Sequence, residues 1–340
     1  MKKLWIAITC SLALVACSKD KEVVETPVIE EELEEKVEEV VLYDALTGVE
    51  IEEENTFKPI VATINNDPKA RPQTGVGAAD IIYEFLIEGQ GTRYVALYHS
   101  EMPEQIGPMR SARHYFLPIP QDLQAFYVAH GYSPLARQQL GQGAIKHVNG
   151  MEHDGSLFKR SSDRYAPHNS YITYEAIQQA MEMTNTPLDE KTLPTLTFNE
   201  EQVDRGTVET MSVRYGPSNL FKSEYTLQED GTYIRSVNGE TFIERLTGEA
   251  VRYANVIVIE GTYDWIDQEG RRNFDLQQGG RGFLFQNGNG LRIDWTYDGG
   301  IIRPFVDGVE IPYEKGKTFI HAIPSDLSLE NSVSYEEKVE

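Results

Sequence analysis

The chain has 340 residues, with 54 Asp and Glu against 31 Lys and Arg, for a net charge of −23. That balance excludes a broad nucleic-acid-binding surface, which works by neutralising phosphates. The length fits about two domains, and an apolar fraction of 40% with 10% aromatic residues excludes general disorder.

Lys2 and Lys3 precede a short apolar run over residues 4–14. A membrane-spanning helix needs about 20 such residues, so this run reads as the core of a signal peptide. Leu14-Val15-Ala16-Cys17 follows and resembles a bacterial lipobox. An ordinary signal peptide with a chance cysteine is the plainer alternative. Under the lipobox reading residues 1–17 are a lipoprotein signal peptide. Cys17 becomes the lipidated first residue and anchors the protein to the membrane on its extracytoplasmic face, two or three acyl chains making the anchor stable. The only other cysteine, Cys10, leaves with the signal, so the mature chain has no internal disulfide, catalytic thiol or cysteine-held zinc. Residues 18–55 hold fifteen acids and three lysines and read as an acidic, self-repelling tether.

The first folded domain is expected over residues 56–190. Residues 59–65 (PIVATIN) read as a strand ended by Asn-Asp-Pro. Pro72 biases Arg71 toward an extended conformation in the loop that follows. Residues 80–88 fit two periodicities. As a strand they place Ile81, Tyr83, Phe85 and Ile87 on one face and Asp80, Glu84 and Glu88 on the other; as a helix the three acids fall at i, i+4 and i+8. The clean alternation and the Gly89-Gln90-Gly91 turn favour the strand, paired with residues 93–100. Three acids on one face suit a solvated sheet surface. They also make Asp80 and Glu84 candidates for acid/base or metal work.

Arg110 and Arg113 follow the Ile106-Gly107-Pro108 turn. Two guanidiniums at this spacing grip one phosphate or carboxylate, or pair with nearby acids. Residues 124–130 read as a buried strand leading to a helix over 135–140, with Ser133 as N-cap, Pro134 at its first position and Gly141 as its stop. Residues 144–149 suggest a further strand, and 174–183 a helix capped by Thr173. His147, His153 and His168 lack the spacing of a helical zinc pair, and no metal site is expected. His168, next to Asn169, is the best of them as a polar site residue. Residues 58–168 carry eleven Lys and Arg against ten Asp and Glu, near neutrality inside a very acidic chain. These features fit a local anion pocket of Arg71, Arg93, Arg110 and Arg113, with Ser133, His168 and Asn169 at its edge.

A β-rich second domain is expected over residues 200–325. Its candidate strands are 208–215, 224–227, 232–237, 255–260, 282–286, 291–296 and 318–323, with Asn238-Gly239, Asp298-Gly299 and Asp307-Gly308 as turns. Residues 326–340 read as an acidic tail. The fold class is therefore an α/β or α+β N-terminal domain with a mixed sheet, plus a β-rich C-terminal domain.

Several motifs together resemble the YerB family of bacterial lipoproteins: the lipobox, Leu46-Thr47-Gly48, Asn65-Asn66-Asp67, Ala70-Arg71-Pro72-Gln73, the run from Ala79 to Glu84, Thr92-Arg93, the run from Gly107 to Arg113, and Ala166-Pro167-His168-Asn169. Gly316-Lys317-Thr318-Phe319-Ile320 also fits. The resemblance implies a lipid-anchored extracytoplasmic protein with two domains of unknown function. A second resemblance, carried by residues 92–97 and the arginines at 110 and 113, is to the LytR-CpsA-Psr phosphotransferases, which act on polyprenyl-pyrophosphate-linked glycopolymers. It implies arginines on phosphates and a divalent cation. The acids that family carries after its first two arginines are replaced here by Tyr94 and Ser111. Three functions follow: an envelope protein holding an anionic ligand, a phosphotransferase, or a lipoprotein working through protein contacts alone.

Overall fold

Residues 60–65 alternate into two covered faces and form β1 (Ile60–Asn65), every residue of it buried. The computed structural model describes residues 41–189, 193–194, 196–216 and 219–337. Cys17, the signal peptide and the tether as far as residue 40 lie outside the described residues, as do 338–340. No helix among the described residues is long and apolar enough to cross a membrane.

The strand reading of residues 80–88 holds: β2 (Ile81–Leu86) and β3 (Thr92–Tyr98) form an antiparallel hairpin, and β3 also pairs with β1. The solvated acidic face does not hold. Asp80 and Glu84 are fully buried, because a second sheet covers the face that alternation alone left open. β4 (Phe126–Ala129) runs parallel to β1 and leads into α1 (Pro134–Leu140). Ser133 caps α1 by accepting from Ala136 N, and Gly141 ends it. β5 (His147–Asn149) extends the sheet, and Thr173 caps α2 (Tyr174–Met183).

The strands of the C-terminal half divide between two sheets. β6 (Val208–Val213), β7 (Ser223–Leu227) and β8 (Tyr233–Val237) form an antiparallel sheet, with β8 followed by a short partner at Glu240–Thr241. β9 (Asn255–Gly261), β10 (Gly280–Gln286), β11 (Asn289–Asp298) and β12 (Ile301–Val306) form a second antiparallel run. β13 (Thr318–Pro324) then lies parallel to both β9 and β2. It thereby joins that run to the N-terminal strands in one mixed eleven-stranded sheet, ordered from a short edge strand at Val309–Glu310 through β12, β11, β10, β9, β13, β2, β3, β1 and β4 to β5. Mixed sheets are the observed architecture, and helices are few. The expected acidic tail is partly structural: β14 (Val333–Glu337) pairs with the outer edge of β6.

The fold also reaches back into the expected tether. Leu42–Tyr43 pairs with Glu50–Ile51, and Leu46 is buried. Asp44 Oδ1 accepts from Leu46 N, Thr47 N and Thr47 Oγ1, while its Oδ2 lies 3.2 Å from His99 Nδ1.

Candidate functional site

Successive side chains in a strand point to opposite faces, and at the end of β1 this alternation sorts the expected site residues into two groups. Asn66 turns toward the sheet that contains β8. Its Nδ2 donates to Glu84 Oε1 at 2.9 Å and Thr92 Oγ1 at 2.7 Å. Its Oδ1 accepts from Tyr94 at 2.6 Å and from Arg71 Nε at 3.2 Å. Arg71 is thus placed with Glu84 and not with the other three arginines.

Glu84 is the centre of this inner group. Its Oε2 accepts from Arg235 Nη2 at 2.7 Å, both side chains being fully buried. Arg235 also donates to Tyr94 and Ser223, and its guanidinium lies 4.5 Å from the Phe319 ring centroid. His321 completes the group: its Nε2 meets the Tyr225 hydroxyl at 2.6 Å and its Nδ1 the Tyr215 hydroxyl at 3.0 Å. Burial keeps this imidazole neutral, pushing its pKa well below the ordinary value. Burial also pushes the Glu84 carboxyl up, against the pull of Arg235. Asp80 is equally enclosed. It accepts from His99 N at 2.6 Å, Ser100 N at 3.0 Å and Ser100 Oγ, and burial raises it to about 6. Neither carboxylate reaches solvent or faces the arginine cluster, so their sequence-level candidacy for catalysis gains nothing from their positions.

Asn65 turns the other way, the same way as its cross-strand partner Arg93. Arg93 is 5% exposed; its Nη1 donates to Ser111 O at 2.7 Å and its Nε has no partner. Arg110 and Arg113 come from the segment between β1 and β4, pinned by Arg110 N to Thr63 O, His130 N to Arg110 O and Ala112 N to Gly131 O. Gly131 is needed there: its φ is +94°, and a Cβ would stand 2.5 Å from Ser111 Oγ. Arg113 grips Glu88 with two nitrogens, at 2.8 Å and 2.6 Å. Arg110 is half-buried and makes no side-chain hydrogen bond or ion pair among the described residues; its Nε is enclosed and unpartnered. Burial, with the charges of Arg113 and Arg110 adding, pulls Arg93 down to about 9. Burial likewise lowers Arg110, with Asp67 opposing and Arg113 adding.

The remaining candidates lie around this cluster in unequal roles. His168 Nδ1 meets Asn65 Nδ2 at 2.9 Å and stands 3.9 Å from Asp67; burial lowers its pKa. Ser133 is buried and lines a cavity of about 290 Å³ that Arg113 also lines. Asn169 is spent on structure, donating to Ser161 O and Arg164 O and accepting from Arg160. Among the described residues no group of three His, Cys, Asp or Glu side chains is placed to hold a metal ion. What the cluster offers chemically is the uncommitted Nη donors of Arg110 beside the charges of Arg93 and Arg113, whose Nη1 atoms are spent on Ser111 O and Ala112 O, with Asp67 and Glu88 as the opposing carboxylates. Sequence reasoning missed Arg235 and His321. The signal was present for Arg235, which alternates with Tyr233 and Val237 on the buried side of β8.

Two family models match, both described as protein of unknown function (DUF3048): the N-terminal domain over residues 46–187 and the C-terminal domain over residues 211–320. The putative lipoprotein YerB of Bacillus subtilis (strain 168) is 40% identical over 282 residues, 82% of this chain and 85% of that protein. This chain belongs to the YerB-like family. The crystal structure of the Bacillus subtilis YerB protein superposes with a TM-score of 0.80 at 39% identity, covering 87% of this chain and all of that one. YerB-like chains thus have two domains, and the eleven-stranded sheet draws strands from both matched regions. The relative's name associates the family with lipoproteins and hence with a membrane.

Proposed function

We propose that this YerB-like protein is anchored by lipid on Cys17 at the extracytoplasmic face of the membrane and holds an anionic ligand on Arg93, Arg110 and Arg113. The observation that carries the reading is Arg110. A half-buried guanidinium with no partner, set beside two others, is unfavourable unless something negative completes it. A phosphate or carboxylate group supplies acceptors for the uncommitted Nη atoms of Arg110 and offsets the like-charge repulsion. Ser133 and His168 stand at the edge of the site, whereas Arg71 and Asn169 serve the fold. The anchor is supported by the lipobox and by the relative's name.

No observation favours the phosphotransferase reading, because Asp80 and Glu84 are enclosed in other networks. The test is thermal denaturation of the full chain with inorganic phosphate. At a hundredfold excess over Kd, binding stabilises by about 2.7 kcal/mol, and Arg110→Gln removes that response. An equal response in wild type and Arg110→Gln, or none in wild type, overturns the reading.

A further inference from the structure

The cavity beside Arg113 lies between the start of α1 and the hairpin formed by Tyr263–Trp265 and Arg272–Phe274. Its volume, about 290 Å³, sits at the lower end of small-molecule sites and suits one compact group. Arg113 forms one wall and Arg272 another, with Leu135 and Ile266 as apolar sides. Arg272 repeats the condition of Arg110. It makes no side-chain hydrogen bond or ion pair among the described residues, and its Nε is buried and unpartnered. Its close contact is over the Trp265 ring, with the guanidinium carbon 4.1 Å from the ring centroid. Stacking of this kind fixes the plane of a guanidinium and leaves its edge donors free.

The neighbouring Arg271 differs, being bound to Asp267 at 2.6 Å and lying near Glu269. Arg113 connects the two places. It lines the cavity and acts electrostatically on both Arg93 and Arg110. The Tyr115 hydroxyl, which donates to Leu86 O, feels Arg93, Arg113 and Arg272 together, so these guanidiniums share one side of the sheet. The cavity thus carries Arg113, Arg271 and Arg272 against Asp267, with Glu88 also holding Arg113, and the Arg113 charge adds to those of Arg93 and Arg110, where Asp67 opposes.

We infer that the cavity is a second anion subsite, so that the ligand carries at least two anionic groups: one held by Arg93 and Arg110, the other by Arg272, with Arg113 shared between them. This rests on the reading of the arginine cluster given above and narrows its ligand to a multiply charged one. A ligand with a single anionic group fills one subsite and leaves the other guanidinium uncompensated. A ligand with phosphates in series fills both, and the second group binds at the high effective concentration set by the first.

Calorimetric titration of the full chain at low ionic strength tests this, with inorganic phosphate and linear tripolyphosphate as probes. Wild type is expected to bind tripolyphosphate at least about tenfold more tightly than phosphate, a gap of about 1.4 kcal/mol. Arg272→Gln is expected to erase that advantage and leave phosphate affinity within about twofold, while Arg272→Lys, which keeps the charge, retains part of it. Arg110→Gln weakens both probes. If tripolyphosphate is preferred equally by wild type and Arg272→Gln, the second subsite is refuted and the first stands. If tripolyphosphate has no advantage in wild type, the second subsite is likewise refuted. If neither probe binds, or Arg110→Gln changes neither affinity, both readings fall.

Discussion

Replacing Arg235 with methionine removes one half of a fully buried ion pair and leaves the other in place. Glu84 Oε2 loses its 2.7 Å contact, while Oε1 keeps Asn66 and Thr92. Tyr94 and Ser223 each lose a charged donor. Removing one partner of a buried pair costs about 3–5 kcal/mol, chiefly because the survivor is left charged in a poor solvent. At this chain size, with an unfolding entropy of about 2.1 cal/mol/K per residue, that is a fall in Tm of roughly 4–8 °C. Glu84 has a partial escape, since burial already favours its protonated form. Without Arg235 its folded pKa rises further above the ordinary 4.5. A carboxyl raised in the folded state contributes stability below its unfolded pKa and loses it as pH rises through the folded value. The deficit of Arg235→Met is therefore expected to be largest at neutral pH and to shrink below about pH 4.5. Urea denaturation of the full chain at both pH values measures it. Pairing the change with Glu84→Gln should cost less than the sum of the two single changes, because the second removes the charge stranded by the first. A loss under about 1 kcal/mol at neutral pH, or strict additivity in the double variant, would refute the reasoning.

The arginine cluster predicts a trade of stability for binding. Arg110→Gln relieves like-charge repulsion, so without added anion it should be more stable than wild type by about 1 kcal/mol in urea, and less responsive to phosphate. A destabilised Arg110→Gln would mean the guanidinium already has its partner. Asp80, raised to about 6 from 3.8, contributes stability that is present below pH 3.8 and lost as pH rises through about 6. Wild type should therefore lose about 3 kcal/mol relative to Asp80→Asn between those limits; a pH-independent difference would show that Asp80 is not desolvated. Cys17→Ala should shift the protein from the membrane fraction to the soluble one, and unchanged retention would reject lipidation at that residue.

Local signals in the sequence carried much of the fold. The hairpin of β2 and β3 was legible from alternation and two glycines, and α1 from Ser133, Pro134 and Gly141, because the interactions that fix them span only a few residues. The covering of β2 was not legible. Alternation assigns Glu84 to a face but does not say what lies over that face, and its partner Arg235 is 151 residues away. The same limit explains the site. Arg93, Arg110 and Arg113 lie near one another because all three sit at strand ends or turns around β1. Arg71 is near them in sequence, but it hydrogen-bonds Asn66, whose side chain turns to the Glu84 side while that of Asn65 turns away. Arg272 has no sequence proximity to the cluster and becomes visible only when the hairpin carrying it folds against Arg113.

The position of β13 has a consequence for how the chain can be cut or made. Residues 318–324 occur near the end of the chain, yet they lie between β2 and β9 and hydrogen-bond to both. During synthesis the N-terminal strands are complete long before this one arrives, and until then β2 presents an open edge able to pair with a neighbouring chain. A stop codon or proteolytic cut just before Thr318 would spare every arginine of the cluster and still unmake their scaffold.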